Sequence, residues 1–539
     1  MLDDLLTKLG FRVQPIVFFL ASALILSFIA ATSLFPGPIG DFFTANQDFV
    51  ASSFGWFYVL VVTAFLAFVV WLGFSRYGDI RLGEDDEEPE FSYLGWFAML
   101  FSAGMGIGLL YNGVAEPLSH YLSPPLAEGG TIEAAEEAML FTFYHWGFHP
   151  WAIYSVVGLS VAYFGFRRKL PVTLRSAFYP LFGERINGPI GHAIDVFAVI
   201  GTLFGVAASL AIGALQISAG LNSVFGLGNS TWLHMIVIAV VTLTAITSVV
   251  AGLDGGIRRL SQANLILSLS LLVFLFVTGP TTFMLDSFVE NSGKYIQILA
   301  DVGFWTDPYD QSDGWQASWT LAYWGWWLAW APFVGMFIAR VSRGRTIREF
   351  VLAVLIVPTV VSFFWFSIAG DTAIKMVREG NERLPEVLNS EGGLDVIFFA
   401  FLESFPFSSL TSVLLIVAVF VFFVTSSDSG SLVIDMITAG GHTDPPVGQR
   451  IFWATVEGLA AAVLLLAGGL EAVRSAVAAA GLPVAVLLVM MCVGLTKALR
   501  EERHALRDRL REQSKEHVEE HGRDPNEPGI GGPETRGAQ

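Results

Sequence analysis

Recurrent long apolar stretches, little charge and a single cysteine predict an all-α protein that crosses a membrane twelve times. Of its 539 residues, 54% are hydrophobic and only 14% are charged, a balance typical of multi-span membrane proteins. Apolar runs of about 18 residues or more, enough to span a bilayer, recur along nearly the whole length. Cys492 lies in one of these runs, which excludes a disulfide framework and a cysteine metal centre. The formal charge of −18 sits in loops and tail. It speaks against nucleic acid as a partner and is in keeping with a salt-rich habitat.

The first apolar run, about 15–35, is too long for a signal peptide and lacks a small-residue cleavage site, so it reads as a retained span. Spans are expected near 14–35, 52–74, 93–118, 139–165, 193–224, 231–252, 260–284, 316–340, 350–371, 394–426, 449–468 and 480–498. They divide the chain into an N-terminal segment (1–92, two spans and the acidic loop Glu84–Glu90) and two five-span units, 93–284 and 316–498. A wetter linker, 285–315, is expected to hold an extracellular interfacial helix. A charged tail, 499–539, closes the chain. It reads as a solvated helix to about His521, then as a disordered Gly/Pro-rich remainder. A regulatory arm that responds to ionic strength is the alternative for this tail.

Short-loop lysines and arginines set orientation. The loops after spans four, six and eight carry Arg167-Arg168-Lys169, Arg258-Arg259, and Arg340, Arg343, Arg345 and Arg348. Those after spans one, three and five carry none. Both termini are therefore expected in the cytoplasm. The loop 372–393 dissents with Lys375, Arg378 and Arg383, offset by several acids.

Four stretches carry chemistry. Ser102–Gly108 (SAGMGIG) places Gly104, Gly106 and Gly108 at every second position inside span three. Each glycine costs about 0.5–1 kcal/mol against alanine in a helix, and close helix packing usually uses a four-residue spacing. Alternation suits an unwound stretch facing a cavity, the usual site of inverted-repeat transporters. The second broken helix of such a pair is expected in span eight.

Span eight holds YWGWWLAWAPF (Tyr323–Phe333), with Trp324, Trp326, Trp327 and Trp330 inside seven residues. Trp326 and Trp330 share a face at i, i+4, and Trp324 and Trp327 pair at i, i+3. Membrane tryptophans otherwise sit singly as interface anchors. Clustered indole faces hold a quaternary ammonium without a counter-charge. Span four adds HWGFHPWAIY, with Trp146 and with Trp151 and Tyr154 at i, i+3. His145 and His149 invite a metal, but no third ligand of matching depth is evident. Hydrogen bonding that holds a helix break is the reading preferred for them. Span ten ends in FFVTSSDSG, where Thr425 and Ser426 offer the hard oxygens an alkali cation needs, backbone capping being the alternative. Asp428 is expected to cap the helix end or to pair with an arginine.

Together, GMGIG with AEPLSHY, HWGFHPWAIY, YWGWWLAWAPFVGMFIARVSRGRTIREF and FFVTSSDSG resemble the signatures of the betaine/carnitine/choline transporter family, over roughly 14–498. The resemblance implies a LeuT-type core of two inverted five-helix repeats, a plasma-membrane homotrimer and alternating access. It implies an aromatic box of Trp146, Trp151, Tyr154 and Trp327, with Trp324, Trp326 and Trp330 along the pathway. The Gly104, Met105, Gly106 and Gly108 backbone lies beside the substrate, and Tyr111 stands where betaine carriers often have Phe. It further implies a Na+ site of Ser102, Met105, Phe422, Thr425 and Ser426. A second Na+ site would use Thr202 and Phe333, but Val206 replaces its other hydroxyl.

The expected activity is Na+-driven uptake of glycine betaine or a related trimethylammonium or sulfonium solute, with no organic cofactor. A choline carrier, proton-coupled or not, and an ectoine carrier are the near alternatives. An intramembrane enzyme would need convergent acid, base or nucleophile groups, and only isolated candidates such as Asp195 and Glu457 occur. A passive channel would hold its ion too tightly on so many aromatic faces.

Overall fold

The computed structural model describes residues 11–104, 106–252, 258–442 and 445–521. Among these the secondary structure is helical apart from one isolated bridge between Arg81 and Thr346. Helix α1 (Pro15–Leu34) is separated from α2 (Pro36–Phe74) by Phe35 alone. Proline disfavours helical backbone in the residue before it, and Phe35 has φ −134°. Spans three and four are each interrupted, as α3 (Tyr93–Gly104) and α4 (Ile107–Leu122), then α5 (Ile132–Trp146) and α6 (Phe148–Ala162). The second break falls at Gly147. Pro150 therefore lies in the first turn of α6, where its missing N–H costs nothing.

Next come α7 (Pro189–Phe225), α8 (Thr231–Gly252), α9 (Arg258–Thr278) and α10 (Thr281–Gln297), the last in the expected place of the interfacial helix. After these come α11 (Ala322–Val341), α12 (Ile347–Phe366), α13 (Gly393–Leu402), α14 (Ser408–Thr438), α15 (Val447–Gly469) and α16 (Ala472–Ala505). Ten of the described helices are long and apolar enough to cross a membrane. The broken spans three and four fall outside that count because none of their four pieces is long enough. Burial arranges the rest: the apolar window of α7 is 89% buried and that of α9 17%. Helix α7 is thus central, and α9 turns most of its surface outward.

Three departures from the sequence reading bear on the site. Span ten is two helices, α13 and α14, because Ser404-Phe-Pro-Phe407 forms a turn whose Phe407 has φ 58°. FFVTSSDSG accordingly lies inside α14, not at its end. Asp428 caps nothing there: it accepts from Ser248 Oγ at 2.6 Å and pairs with Arg450 at 3.2 Å. Span eight is not a broken helix. A wide π-helical turn, Ala317–Leu321, leads without interruption into α11, and Pro332 is absorbed within it. Span twelve begins at Ala472 and runs on helically to His521. Arg474 and Ser475, which look like loop residues, are on its inner face, Arg474 half-buried and Ser475 buried. The remainder of the tail lies outside the described residues.

At the end where α6, α11 and α16 finish, the acidic loop meets the basic ones. Glu84 pairs with Lys169 (2.6 Å), Asp85 with Arg167 (2.8 Å), Glu87 with Arg343 (2.5 Å) and Glu90 with Arg340 (2.8 Å). Lys169 beside Glu84 holds that carboxyl below the usual range. Glu502 of the tail also binds Arg167 and the Tyr163 hydroxyl, both at 2.5 Å. Each exposed pair is individually weak, so it is their number that ties these loops together. On the opposite end the dissenting loop is paired with nearby acids, Lys375 with Glu379 inside the loop and Arg383 with Glu403 just after α13.

Candidate functional site

The glycine break and the tryptophan helix face one another. Trp146, the last residue of α5, meets Trp327 of α11 edge-on at 5.0 Å. Tyr154, one helical turn beyond Trp151 on α6, meets Trp327 at 6.2 Å and Trp151 at 5.5 Å. All four side chains are at most 4% exposed. The Tyr154 hydroxyl has no hydrogen-bond partner among the described residues. These are geometries that aromatic pairs favour, and they turn several π faces on one another in the membrane interior.

The other tryptophans divide. Trp326 lies parallel to Trp327 (5.5 Å, 5° between planes) and edge-on to Trp330 (6.3 Å), which reaches Phe333 at 5.7 Å. Trp324 faces away, against Tyr144 (5.0 Å) and His149 (5.9 Å), with its N–H unpartnered. The i, i+3 spacing of Trp324 and Trp327 therefore does not bring their rings together. Tyr323 and Trp326 also line a narrow recess with Tyr111, Asn112, Trp319 and Arg474. Both stack on Trp327, so they stand between this vestibule and the box.

On the glycine side, a side chain at Gly108 would come within 2.9 Å of Trp146 and 3.3 Å of Trp326. At Gly106 a Cβ would lie 3.6 Å from Trp330 and 3.9 Å from Ser426 Oγ, ordinary contacts. Met105 lies outside the described residues, and of the Ser102 and Gly104 side only the helical backbone of α3 is described. Carbonyls just after the break find side-chain donors: Gly108 from Asn112 (3.0 Å), Leu109 from Trp365 (2.9 Å) and Leu110 from Gln216 (3.4 Å). Tyr111 is drawn to Asp395 of α13, its hydroxyl donating at 2.8 Å. A phenylalanine could not make that bond.

The two expected ion sites fare differently. Ser426 is brought beside the break, and Thr425 Oγ1 donates to the Phe422 carbonyl at 3.0 Å. Asn264 of α9, which sequence reasoning missed, donates to the same hydroxyl at 3.2 Å and keeps a buried, unpartnered Oδ1. Its one signal is an amide inside a predicted span, with Gln262 two residues before it. Thr202 is buried with an unpartnered hydroxyl, and Val206 packs on α14 at Gly430, 2.7 Å from where a Cβ would be. Phe333 is buried against Trp330.

Sequence reasoning also missed Glu116 and His120, whose ligand atoms cluster with those of His145 within 4.8 Å. Thus His145 does have neighbours of matching depth, but His149 is not among them. His145 bonds Glu116 at 2.8 Å and Thr320 at 2.9 Å, and its carbonyl accepts from Trp327 Nε1 at 3.0 Å. The hint in the sequence was an acid, Glu116, followed four residues on by a histidine inside an apolar run. The isolated acids go elsewhere, Asp195 to Arg175 (3.4 Å) and Glu457 to Ser427 (2.9 Å).

Residues 16–504 match the model of the betaine/carnitine/choline family transporters. The chain belongs to this family. It is 45% identical over 490 residues to a glycine betaine transporter of Acinetobacter baylyi, covering 91% of this chain and 74% of that one. It is 41% identical over 493 residues to the glycine betaine transporter OpuD of Bacillus subtilis (91% and 95% covered). Against the osmo-independent choline transporter BetT1 of Acinetobacter baylyi the identity is 42% over 506 residues (93% and 96%). The protein is accordingly a multi-pass membrane transporter, not an enzyme.

Proposed function

We propose that the protein imports glycine betaine, or a related trimethylammonium or sulfonium solute, coupled to Na+ and by alternating access. The observation that carries this reading is the buried box in which Trp146 and Tyr154 meet Trp327 at 5.0 and 6.2 Å. Indole and phenol faces attract a cation without a counter-charge that must itself be desolvated. The unpartnered Tyr154 hydroxyl gives the zwitterion's other end a donor. Thr425 and Ser426 beside the glycine break supply oxygens for one Na+, with Phe422, Ser102 and Met105 completing the set. In this reading twelve spans form two inverted five-helix repeats, 93–284 and 316–498, behind two peripheral spans, and the protein works as a homotrimer with both termini cytoplasmic. The names of the betaine relatives and the basic loops at one face support it. A second reading, choline uptake, is favoured by the similarity to a choline carrier. Counterflow of labelled betaine and choline in proteoliposomes, with and without Na+, tests both. Sodium-independent counterflow would remove the coupling ion, and exchange of choline alone would replace the substrate.

A further inference from the structure

Behind the aromatic box lies a buried acid. Glu116 of α4 is 0% exposed. Its Oε2 accepts from Trp146 Nε1 at 2.7 Å and from the Tyr323 hydroxyl, and its Oε1 lies 2.8 Å from His145 Nδ1. Indole carries one N–H and no acceptor, so chemistry settles the direction of the Trp146 bond. An ionised carboxylate has about four lone-pair positions and no proton to donate. Three converging groups that can all donate match that need. The remaining charged or titratable groups nearby are His120, against Trp315 and Trp319, and Arg474, whose guanidinium lies 5.8 Å from Trp319. Asp395 is occupied by Tyr111. An acid at membrane depth is costly to keep and marks a working site.

We propose that Glu116 is a positioning residue that makes the box sensitive to a substrate's net charge, acting through Trp146 without touching the substrate. A charge-assisted bond to the indole N–H pushes electron density into the ring. Attraction of a quaternary ammonium follows the negative face of that ring. The carboxylate's own field adds to this, reaching far in a low-dielectric interior. A monocation such as choline receives the whole attraction. In glycine betaine the solute's carboxylate is repelled by the same field, and the two effects partly cancel. Glu116 thereby ties the first unit to the second, through Tyr323, and biases the site toward cations. The inference rests on the box reading given above.

The test is Glu116→Gln in the full-length protein, titrated calorimetrically with choline and with glycine betaine. Glutamine keeps an acceptor for Trp146 and Tyr323 and can donate to His145, so the frame remains while the charge goes. Choline affinity is expected to fall about tenfold, and betaine affinity about threefold or less, so the choline-to-betaine ratio drops. Equal losses for the two ligands, or no loss for either, overturn the proposal. Trp146→Phe gives an independent arm, since it keeps an aromatic ring but cuts the link to Glu116. It should lower the same ratio, and an unmoved ratio overturns the proposal even if the glutamine variant does not fold. Parent protein that binds neither ligand, or whose affinity is unchanged by Trp327→Leu, removes the box reading and this inference with it. Affinity weakened in Trp327→Leu, with a ratio unmoved by Glu116→Gln, removes the inference alone.

Discussion

The two sides of the candidate site are built on opposite plans. On one side, α3 and α4 part around Gly106, and the backbone itself approaches the cavity. On the other, α11 runs unbroken through four tryptophans and a proline. Removing side chains opens space and lets the backbone come close to facing rings, as Gly108 does to Trp146 and Trp326. Adding large rings fills space but offers π faces that need no partner until a cation arrives. A cavity inside a membrane is thus obtained by pairing a side that is too empty with one that is too full.

If that pairing is tight, the glycine side should tolerate almost nothing at its closest approach. Gly108→Leu is expected to abolish transport, because its Cβ alone would sit 2.9 Å from Trp146. Gly106→Ala should retain uptake, since its Cβ makes ordinary contacts, whereas Gly106→Leu should abolish it while leaving membrane insertion intact. Radiotracer uptake in whole cells compares all three, and equal activity of Gly108→Leu and parent would mean that the glycines serve only packing.

The seam between the two sides is where Na+ should bind. Thr425→Ala is expected to eliminate sodium-dependent uptake, since Thr425 stands next to Ser426 at the break. Thr202→Ala should do much less, because Val206 offers a methyl where a second hydroxyl would be needed, and that exchange is not neutral. The sodium Hill coefficient should be about one, the value for a single coupled site. A coefficient clearly above one, with equal losses in both variants, would require a second ion and a ligand from elsewhere.

The tryptophan side should lose affinity in proportion to the ring removed. Trp327→Leu is expected to weaken betaine binding by about 1–2 kcal/mol, the scale of a desolvated cation–π contact, and Trp327→Phe by less. Trp324→Leu should leave affinity near the parent's, given that Trp324 packs on Tyr144 and His149. Calorimetry that ranks Trp324 with Trp327 would move the box. The smallest effect is expected furthest away. Deleting 500–539 should not change affinity, but it takes Glu502 from Arg167 and should flatten any dependence of rate on osmolality. Superimposable osmolality curves would confine the tail to a structural role.

What could be read in the chain was local, and what could not was long-range. Three glycines in alternation announced a break, and α3 does end at Gly104 while α4 begins at Ile107. Indole faces four residues apart, Trp326 and Trp330, do meet. Trp146 and Trp327, 181 positions apart, could be joined only by resemblance, since periodicity says nothing across helices. Glu116, Asn264 and Arg474 were passed over because what each one does is decided by residues far away in the sequence. Their partners lie on other helices, at Trp146, Thr425 and Trp319. The turn at Ser404–Phe407 was hidden by phenylalanines that keep hydropathy high through a non-helical stretch.

One uninterrupted helix carries Arg474 at the mouth of the vestibule and Glu502 in the basic collar at the opposite face. At 1.5 Å per residue these groups are separated by roughly 40 Å of helix. The guanidinium that rests on Trp319 and the carboxylate that grips Arg167 are thus the two ends of one strut, with Pro483 inside it.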